Sequence, residues 1–166
     1  CLVGSEMCIR DSDYMGKAAK QVVTYCIRND IGTLIVGYNT TFQRSSDLGR
    51  QMNQVFVGIP FGILRRKLKY LCEMNGIRYV EQEESYTSMA SFWDLDEMPV
   101  YGEAGLVPPV FSGRRICRGL YQDRSGRRIN ADVNGALNIM RKCNIVSLRA
   151  LYDRGDVDTP VRIRIA

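Results

Sequence analysis

Asp132 is a carboxylate whose sequence surroundings predict a fixed position and a fixed charge. The apolar residues that follow it recur at the three-and-four spacing of an amphipathic helix: Val133, Ala136, Leu137 and Met140. We therefore predict a helix that begins near Asp132. Unpaired N–H groups and the positive end of the helix dipole would keep this carboxylate ionised. The simplest interpretation is an N-cap aspartate on an ordinary helix.

The same segment contains three poor helix formers. Gly135 lowers helix propensity in the first turn, which predicts that something approaches the backbone closely there. Asn134 and Asn138 are four residues apart and are expected to share one face of the helix.

The chain contains no histidine, and this excludes several kinds of chemistry. Ser-His-Asp catalysis, Cys-His catalysis and histidine-ligated zinc are all ruled out. The six cysteines include no C-x-x-C pair, so we expect reduced thiols in a cytoplasmic protein, with no thiolate metal site. The remaining chemistry is that of carboxylates, which prefer hard cations such as Mg²⁺ or Mn²⁺.

Two motifs resemble those of one nuclease family. Residues 130–139, Asn-Ala-Asp-Val-Asn-Gly-Ala-Leu-Asn-Ile, resemble the last catalytic motif of the TnpB (OrfB) family. Residues 83–88, Glu-Glu-Ser-Tyr-Thr-Ser, are similar to that family's Tyr-Thr-Ser motif, which follows a core strand. Four further segments are also similar to this family, at residues 31–39, 53–60, 111–121 and 160–164. The resemblance therefore covers about residues 14–166.

TnpB proteins are transposon-encoded, RNA-guided DNA endonucleases related to type V CRISPR effectors. The resemblance implies an α/β fold, namely an incomplete RNase H-like (RuvC) nuclease domain with an inserted ribbon-like loop. It also implies Mg²⁺ or Mn²⁺ as cofactor, DNA and a guide RNA as partners, and a link to transposition. No membrane contact is expected, since no apolar stretch reaches the roughly 18 residues that a span needs.

The family's RuvC site uses three acidic residues, and the resemblance assigns the last of them, a metal ligand, to Asp132. The first would lie upstream of Tyr14, in sequence that the chain lacks. We therefore expect a C-terminal part of the RuvC domain that is inactive by itself.

The middle acid departs from the family pattern. In most members a Glu in a Glu-x-Leu motif ends the strand that corresponds to residues 31–38, where this chain has Val36-Gly37-Tyr38-Asn39 and no acid. We infer that the glutamate has moved to the neighbouring strand, as Glu83 or Glu84. Adjacent strand residues point to opposite faces, so only one can serve, and Glu84 is nearer the strand end. Two surface glutamates at a sheet edge are the alternative.

Loss of the middle glutamate is also how catalysis would decay. A nuclease-dead protein that binds guide RNA and DNA without cutting is therefore the second hypothesis for the function.

The zinc ribbon of the family is also altered. Typical members carry four cysteines between Tyr-Thr-Ser and the final Asp motif, whereas this interval has only Cys117, with Ser91 and Ser112 near the expected positions. We predict that no zinc binds and that aromatic packing holds the ribbon, through Phe92, Trp93, Tyr101, Phe111 and Tyr121.

Charge is unevenly distributed along the chain. Residues 111–130 contain six Arg and one Asp, a net charge of +5 that equals the net charge of the whole chain. These arginines suit phosphate contact, and we expect nucleic-acid binding by Arg114, Arg115, Arg118 and Arg128. A solvated basic loop is the alternative. Residues 79–113 hold seven acids and no Lys or Arg, and we expect mostly a solubilising loop.

The elements that position these groups follow from periodicity. We predict a helix over 14–28, a strand over 31–38, a polar loop over 39–56, a helix from Pro60 to Gly76 and a strand over 77–84. Such a strand-helix-strand unit gives neighbouring strands, and functional groups gather at strand ends, so Glu84 and Asp132 are expected to converge.

The C-terminal residues 161–165 alternate between apolar and charged residues, as in a short edge strand. The predicted segments are a non-native leader (1–12), the RuvC-like part (13–86), the inserted ribbon, which resembles a target nucleic-acid-binding segment (87–128), and the final motif with its tail (129–166).

Overall fold

The computed structural model describes residues 2–39, 61–100 and 109–155, together with 157, 160, 163 and 165. The chain forms two compact units, of which unit 1 contains residues 1–36, 40–80 and 163–166, and unit 2 contains residues 37–39 and 81–162. The helices are α1 (Leu2–Arg28), α2 (Phe61–Met74), α3 (Ala131–Cys143) and α4 (Arg149–Arg154). The strands are β1 (Thr33–Tyr38), β2 (Arg78–Glu83), β3 (Arg114–Cys117), β4 (Leu120–Gln122) and β5 (Arg128–Asn130). This confirms a mixed α/β fold.

Unit 1 is built on the packing of α1 against α2. Small and branched side chains on their facing stripes form its core, which comprises Ala19, Val23, Cys26, Leu68, Cys72 and Ile77. The predicted helices and strands are all confirmed here. Helix α1 is longer than predicted, because it begins at Leu2 and so continues through the segment that we expected to be a leader.

The two helix-to-strand turns of unit 1 use the same device. The side-chain amides of Asn29 and Asn75 each donate to the carbonyl four residues earlier, at 2.8 and 2.7 Å. The next residue in each turn, Asp30 or Gly76, has a positive φ. These turns lie 46 residues apart, so β1 and β2 start at equivalent points.

Strands β1 and β2 pair with each other. The Arg78 N–H donates to the Gly32 carbonyl at 2.9 Å, and the Glu84 N–H donates to the Tyr38 carbonyl at 3.2 Å. Both bonds join residues 46 apart, and a constant offset of this kind means that the strands are parallel. Glu84 therefore follows β2 at the level where β1 ends.

Unit 2 contains the antiparallel sheet β3-β4-β5, helix α3 and the short helix α4. Neither this sheet nor α4 was predicted from the sequence. Tyr121 is buried beneath the sheet, and its hydroxyl donates to the Met89 carbonyl at 2.8 Å. An aromatic cluster completes the core: the rings of Phe92 and Tyr152 stack at 4.8 Å, with Trp93 edge-on to both.

Three sequence predictions lie wholly or largely outside the described residues. They concern the polar loop at 39–56, the packing of Tyr101 and the edge strand at 161–165. Among the helices of the described chain, none combines the length and apolarity that crossing a membrane requires.

Candidate metal and nucleic-acid site

Asn130, and not Asp132, caps helix α3. The Asn130 side-chain oxygen accepts hydrogen bonds from the N–H groups of Asp132 (2.9 Å) and Val133 (3.1 Å). The interpretation of Asp132 as an N-cap residue is therefore wrong, because an asparagine already satisfies these N–H groups. Asp132 lies in the first turn with an exposed side chain, and its carboxylate has no hydrogen-bond or ion-pair partner among the described residues.

The buried face of α3 is the one that carries the two asparagines. Asn134 and Asn138 are fully buried, whereas Ala136 of the predicted apolar stripe is exposed. The predicted stripe is thus partly wrong, because polar side chains that satisfy buried backbone groups take the core-facing positions. The close approach predicted at Gly135 is also wrong, since a Cβ there would meet nothing within 4 Å.

The asparagines hold the segment 87–92 against α3. The Asn134 amide donates to the Ala90 carbonyl at 2.8 Å, and its oxygen accepts from the Phe92 N–H at 3.1 Å. The Asn138 amide donates to the carbonyls of Thr87 (2.9 Å) and Ala90 (2.7 Å). Sequence reasoning missed this role, although two buried-face asparagines four residues apart were its signal. The motif that follows β2 is therefore fixed to helix α3.

Glu84 lies over the glycine of β1. A Cβ built on Gly37 would lie 2.5 Å from the Glu84 Oε2 atom and 2.6 Å from the Ile139 Cδ1 atom. The Glu84 carboxylate thus occupies the space that a side chain at position 37 would enter. It has no hydrogen-bond or ion-pair partner among the described residues, and burial, followed by the charge of Glu83, raises its pKa.

Glu83 has a different environment from its neighbour. Its Oε2 atom forms an ion pair with the Lys142 ammonium, and its Oε1 atom accepts from the Ser85 N–H at 2.6 Å. Burial by itself would raise the pKa of Glu83, but these hydrogen bonds outweigh it and hold the pKa below the usual range. The charge of Glu83 is therefore already compensated by protein.

The structure does not bring Asp132 and Glu84 into contact. Ile139, which shares the space over Gly37 with Glu84, lies seven residues after Asp132 and so on the same face of α3. Seven residues correspond to two turns, about 10 Å along the helix. Within the described part of the chain, no three or more Asp, Glu, Cys or His side chains form a group that could hold a metal ion.

Asp96 links two segments of the predicted ribbon, near the positions where the family that the sequence resembles carries paired cysteines. Its Oδ2 atom accepts hydrogen bonds from the N–H groups of Ser91 (2.8 Å) and Ser112 (2.9 Å). Burial would raise the pKa of Asp96, but these hydrogen bonds and the charge of Arg141 lower it overall. Similarly, Asp94 accepts from the Arg124 N–H at 3.0 Å. These two acidic residues therefore have structural contacts, and the expectation that most of the stretch is a solubilising loop stays a prediction.

The sheet of unit 2 separates the candidate nucleic-acid-binding arginines. Gln122 pairs with Arg114 on one side and with Arg128 on the other, so these three residues form one cross-strand row. Arg115 pairs with the buried Tyr121 and so belongs to the opposite face. Arg118 lies in the turn before Gly119, which has a positive φ. All four arginines are exposed.

Comparison with known proteins finds a family model that matches part of this chain. Residues 61–139 match the family model described as Cas12f1-like, TNB domain. This match covers slightly less than half of the chain, and it supports a relationship to TnpB and type V effector proteins. No curated protein matches the chain in sequence.

Among the solved structures that match, one is similar in fold over most of this chain. It is described as a cryo-EM structure of the Cas12f1-sgRNA-target DNA complex, and it is similar with a TM-score of 0.57 at 16% sequence identity. The alignment covers 83% of this chain and 35% of the Cas12f1 chain. The chain thus spans about a third of the length of that protein.

Proposed function

We propose that this chain is the C-terminal RuvC part of a TnpB-like, RNA-guided DNA endonuclease that hydrolyses phosphodiester bonds with Mg²⁺ or Mn²⁺. The observation that carries the proposal is the position of Glu84 over Gly37. In the family that the sequence resembles, a glutamate ends the strand that corresponds to β1. Here a glutamate of the neighbouring strand supplies a carboxylate to the same space.

The electrostatics of the site fit a divalent cation. Glu84 is partly buried, and its carboxylate has no partner among the described residues. Its pKa is raised. A bound cation would therefore lower the free energy of its charged form. Glu83 lacks this property because Lys142 already pairs with it. Asp132 is exposed, is not needed as a cap and lies in the first turn of α3.

Carboxylate oxygens alone are a donor set that suits Mg²⁺ or Mn²⁺. We therefore assign Glu84 and Asp132 as the residues of this chain that hold the metal. When bound, such ions activate a water and stabilise the leaving oxygen of a phosphodiester. The ion pair with Lys142 compensates the charge of Glu83, and the buried asparagines position the segment that follows Glu84.

The nucleic-acid partners follow from the charges and the comparison. Arg114, Arg115, Arg118 and Arg128 are exposed and suited to phosphate contact, with Arg114 and Arg128 in one row. The Cas12f1 structure contains a guide RNA and a target DNA, and we propose the same two partners for this chain. A role in transposition and a cytoplasmic location belong to the same proposal.

A cleavage assay on the full-length protein that contains this chain tests the proposal. The protein is loaded with its guide RNA and given a matched DNA target with Mg²⁺. Asp132→Asn and Glu84→Gln are each expected to lower the cleavage rate at least 100-fold, roughly the upper cost of losing an outer-shell partner at a metal site. Glu83→Gln is the matched control and is expected to retain cutting.

A nuclease-dead binding protein is the second candidate. It is favoured by one observation, that within the described residues no three or more Asp, Glu, Cys or His side chains form a group that could hold a metal ion. In that case the wild-type protein binds its target and never cuts it, and substitutions at Glu84 and Asp132 change nothing in the assay.

A further inference from the structure

Lys142 lies in the last turn of α3, and its side chain reaches the segment that follows β2. Its ammonium forms an ion pair with the Glu83 Oε2 atom and also donates to the Ser85 carbonyl at 3.3 Å. The Lys142 side chain is only 12% exposed, although lysine is rarely buried unless its charge is paired. Because a long side chain loses rotamer entropy when it is held in one place, these two bonds have to offset that cost.

The bonds of Lys142 involve the residue before Glu84 and the residue after it. The Glu83 Oε1 atom accepts from the Ser85 N–H at 2.6 Å, which closes a ring of bonds that we call the lysine clamp. It consists of Lys142, Glu83 and Ser85. The backbone carbonyl of Glu84, inside this ring, accepts from the Thr87 hydroxyl at 2.9 Å. The free carboxylate of Glu84 is therefore carried by a backbone that is fixed on both sides.

Lys142 shares a face of α3 with Ile139 and Asp132. Ile139 lies three residues before Lys142 and seven residues after Asp132, and both spacings place side chains on one side of a helix. Ile139 shares with Glu84 the space over Gly37. The lysine clamp thus joins the segment that carries Glu84 to the helix face that carries Asp132.

We propose that Lys142 is a positioning residue for the divalent cation of the proposed nuclease site. By bonding to both neighbours of Glu84, it fixes the Glu84 carboxylate relative to the face of α3 that carries Asp132. It also keeps Glu83 engaged, so that Glu83 does not act as a ligand in place of Glu84. This role rests on the proposed function, because it requires that Glu84 and Asp132 hold the cation.

The sign of one effect separates positioning from simple charge. A positive charge repels a cation, so charge alone predicts that Lys142→Met strengthens cation binding. The release of Glu83 as a further carboxylate ligand would act in the same direction. Positioning predicts the opposite sign, because a residue that orients a metal ligand typically contributes about 10- to 100-fold to metal affinity.

Mn²⁺ binding to the full-length protein without RNA measures this role independently of cleavage. Electron paramagnetic resonance follows the free ion, whose sharp spectrum broadens on binding, and RNA is left out because its phosphates also attract cations. Lys142→Met is expected to weaken Mn²⁺ affinity about 10- to 100-fold. Lys17→Met removes a lysine from an exposed ion pair with Asp13 and should stay within about twofold of wild type. Unchanged or tighter binding by Lys142→Met overturns the proposal.

Variants of Glu83 test the lysine clamp from its other end, and they decide the matter if Lys142→Met fails to fold. Glu83→Gln keeps an oxygen that can accept from Lys142, whereas Glu83→Met has a side chain of similar length and only a weak acceptor. Glu83→Met is therefore expected to bind Mn²⁺ more weakly than Glu83→Gln. Equal affinities for the two variants, or tighter binding by Glu83→Met, overturn the proposal.

The result is separable from the nuclease proposal. Glu84→Gln and Asp132→Asn each remove the charge of a proposed ligand and are expected to weaken Mn²⁺ binding in the same assay. If they do so and Lys142→Met does not, the role of Lys142 fails alone. If neither of them changes Mn²⁺ binding, the metal assignment fails and the role of Lys142 fails with it. If all three weaken it and the wild-type protein never cuts DNA, the lysine clamp stands and the nuclease proposal fails.

Discussion

At the scale of residues, the adjacent glutamates Glu83 and Glu84 differ in how their charges are compensated. Glu83 has an ion pair and a backbone hydrogen bond, whereas Glu84 has neither among the described residues and lies partly buried over Gly37. A charge without a partner lowers stability, and residues of this kind are usually kept for function. The stability of the metal-free protein should therefore reveal the difference.

We expect Glu84→Gln to stabilise the metal-free chain by about 0.5–1 kcal/mol at pH 7, since it removes an uncompensated charge. The folded-state pKa of Glu84 is raised, so the charge lowers stability only as the pH rises above the usual carboxyl range. The gain should vanish near pH 4. Urea unfolding at several pH values measures it.

The matched change Glu83→Gln breaks the ion pair with Lys142 and is expected to destabilise the chain at pH 7. If Glu84→Gln destabilises it as much, then Glu84 has a structural role and the assignment of a metal ligand loses its electrostatic basis.

At the scale of elements, polar side chains fix α3 and the ribbon through backbone groups. Periodicity correctly predicted that a helix begins near Asp132, because its length and spacing are local properties. It could not identify the buried face, because Asn134 and Asn138 are buried only through hydrogen bonds to a segment more than 40 residues away. The role of Asp96 was hidden for the same reason. Contacts with distant backbone leave no periodic pattern in a sequence.

Helix α3 offers a direct contrast between a buried amide and an open glycine. Asn138→Ala leaves the Thr87 carbonyl without this donor and is expected to destabilise the chain by about 1–3 kcal/mol. Gly135→Ala adds a methyl group where nothing lies within 4 Å and is expected to stabilise it by about 0.5–1 kcal/mol. Chemical denaturation of both variants measures the two free energies of unfolding. Equal effects of the same sign would contradict the assignment of the buried face.

The Asp96 crosslink predicts a pH-dependent ribbon. Its folded-state pKa is lowered, so its contribution to stability is present above the usual aspartate range and is lost as the pH falls through that range. We expect Asp96→Asn to cost about 1–3 kcal/mol at pH 7 and progressively less as the pH falls below about 4 towards the lowered folded-state pKa, since protonation then removes the same interactions from the wild type. Asp94→Asn, which affects one hydrogen bond, is the matched control. A cost that is independent of pH would contradict the crosslink.

At the scale of the whole molecule, the chain has the fold of a third of a Cas12f1 protein and distributes its charge unevenly along the sequence. The sequence resemblance indicated the fold class, because its motifs follow strands and begin a helix. The separation of Glu84 and Asp132 could not be predicted from it, since Glu84 shares the space over Gly37 with Ile139, which lies seven residues after Asp132.

Treatment with a zinc chelator tests the prediction that the ribbon binds no zinc. If the ribbon is held by Asp96 and packing, a zinc chelator should change the thermal midpoint of the chain by less than about 2 °C, well under 1 kcal/mol. A structural zinc contributes about 10–16 kcal/mol to folding, so its removal would unfold the ribbon. Circular dichroism with and without the chelator measures this. A large fall in the midpoint would refute a metal-free ribbon.

The most direct test of the relocated glutamate is to move it back. In the full-length protein with its guide RNA and Mg²⁺, Glu84→Ala is expected to lower DNA cleavage at least 100-fold, more than the usual cost at an outer-shell position. Adding Gly37→Glu to this variant should restore cutting to within about tenfold of wild type, because the new carboxylate enters the vacated space; adding Gly37→Ala should not. If Glu84→Ala cuts normally, or if Gly37→Glu restores nothing, Glu84 does not replace the glutamate of the family.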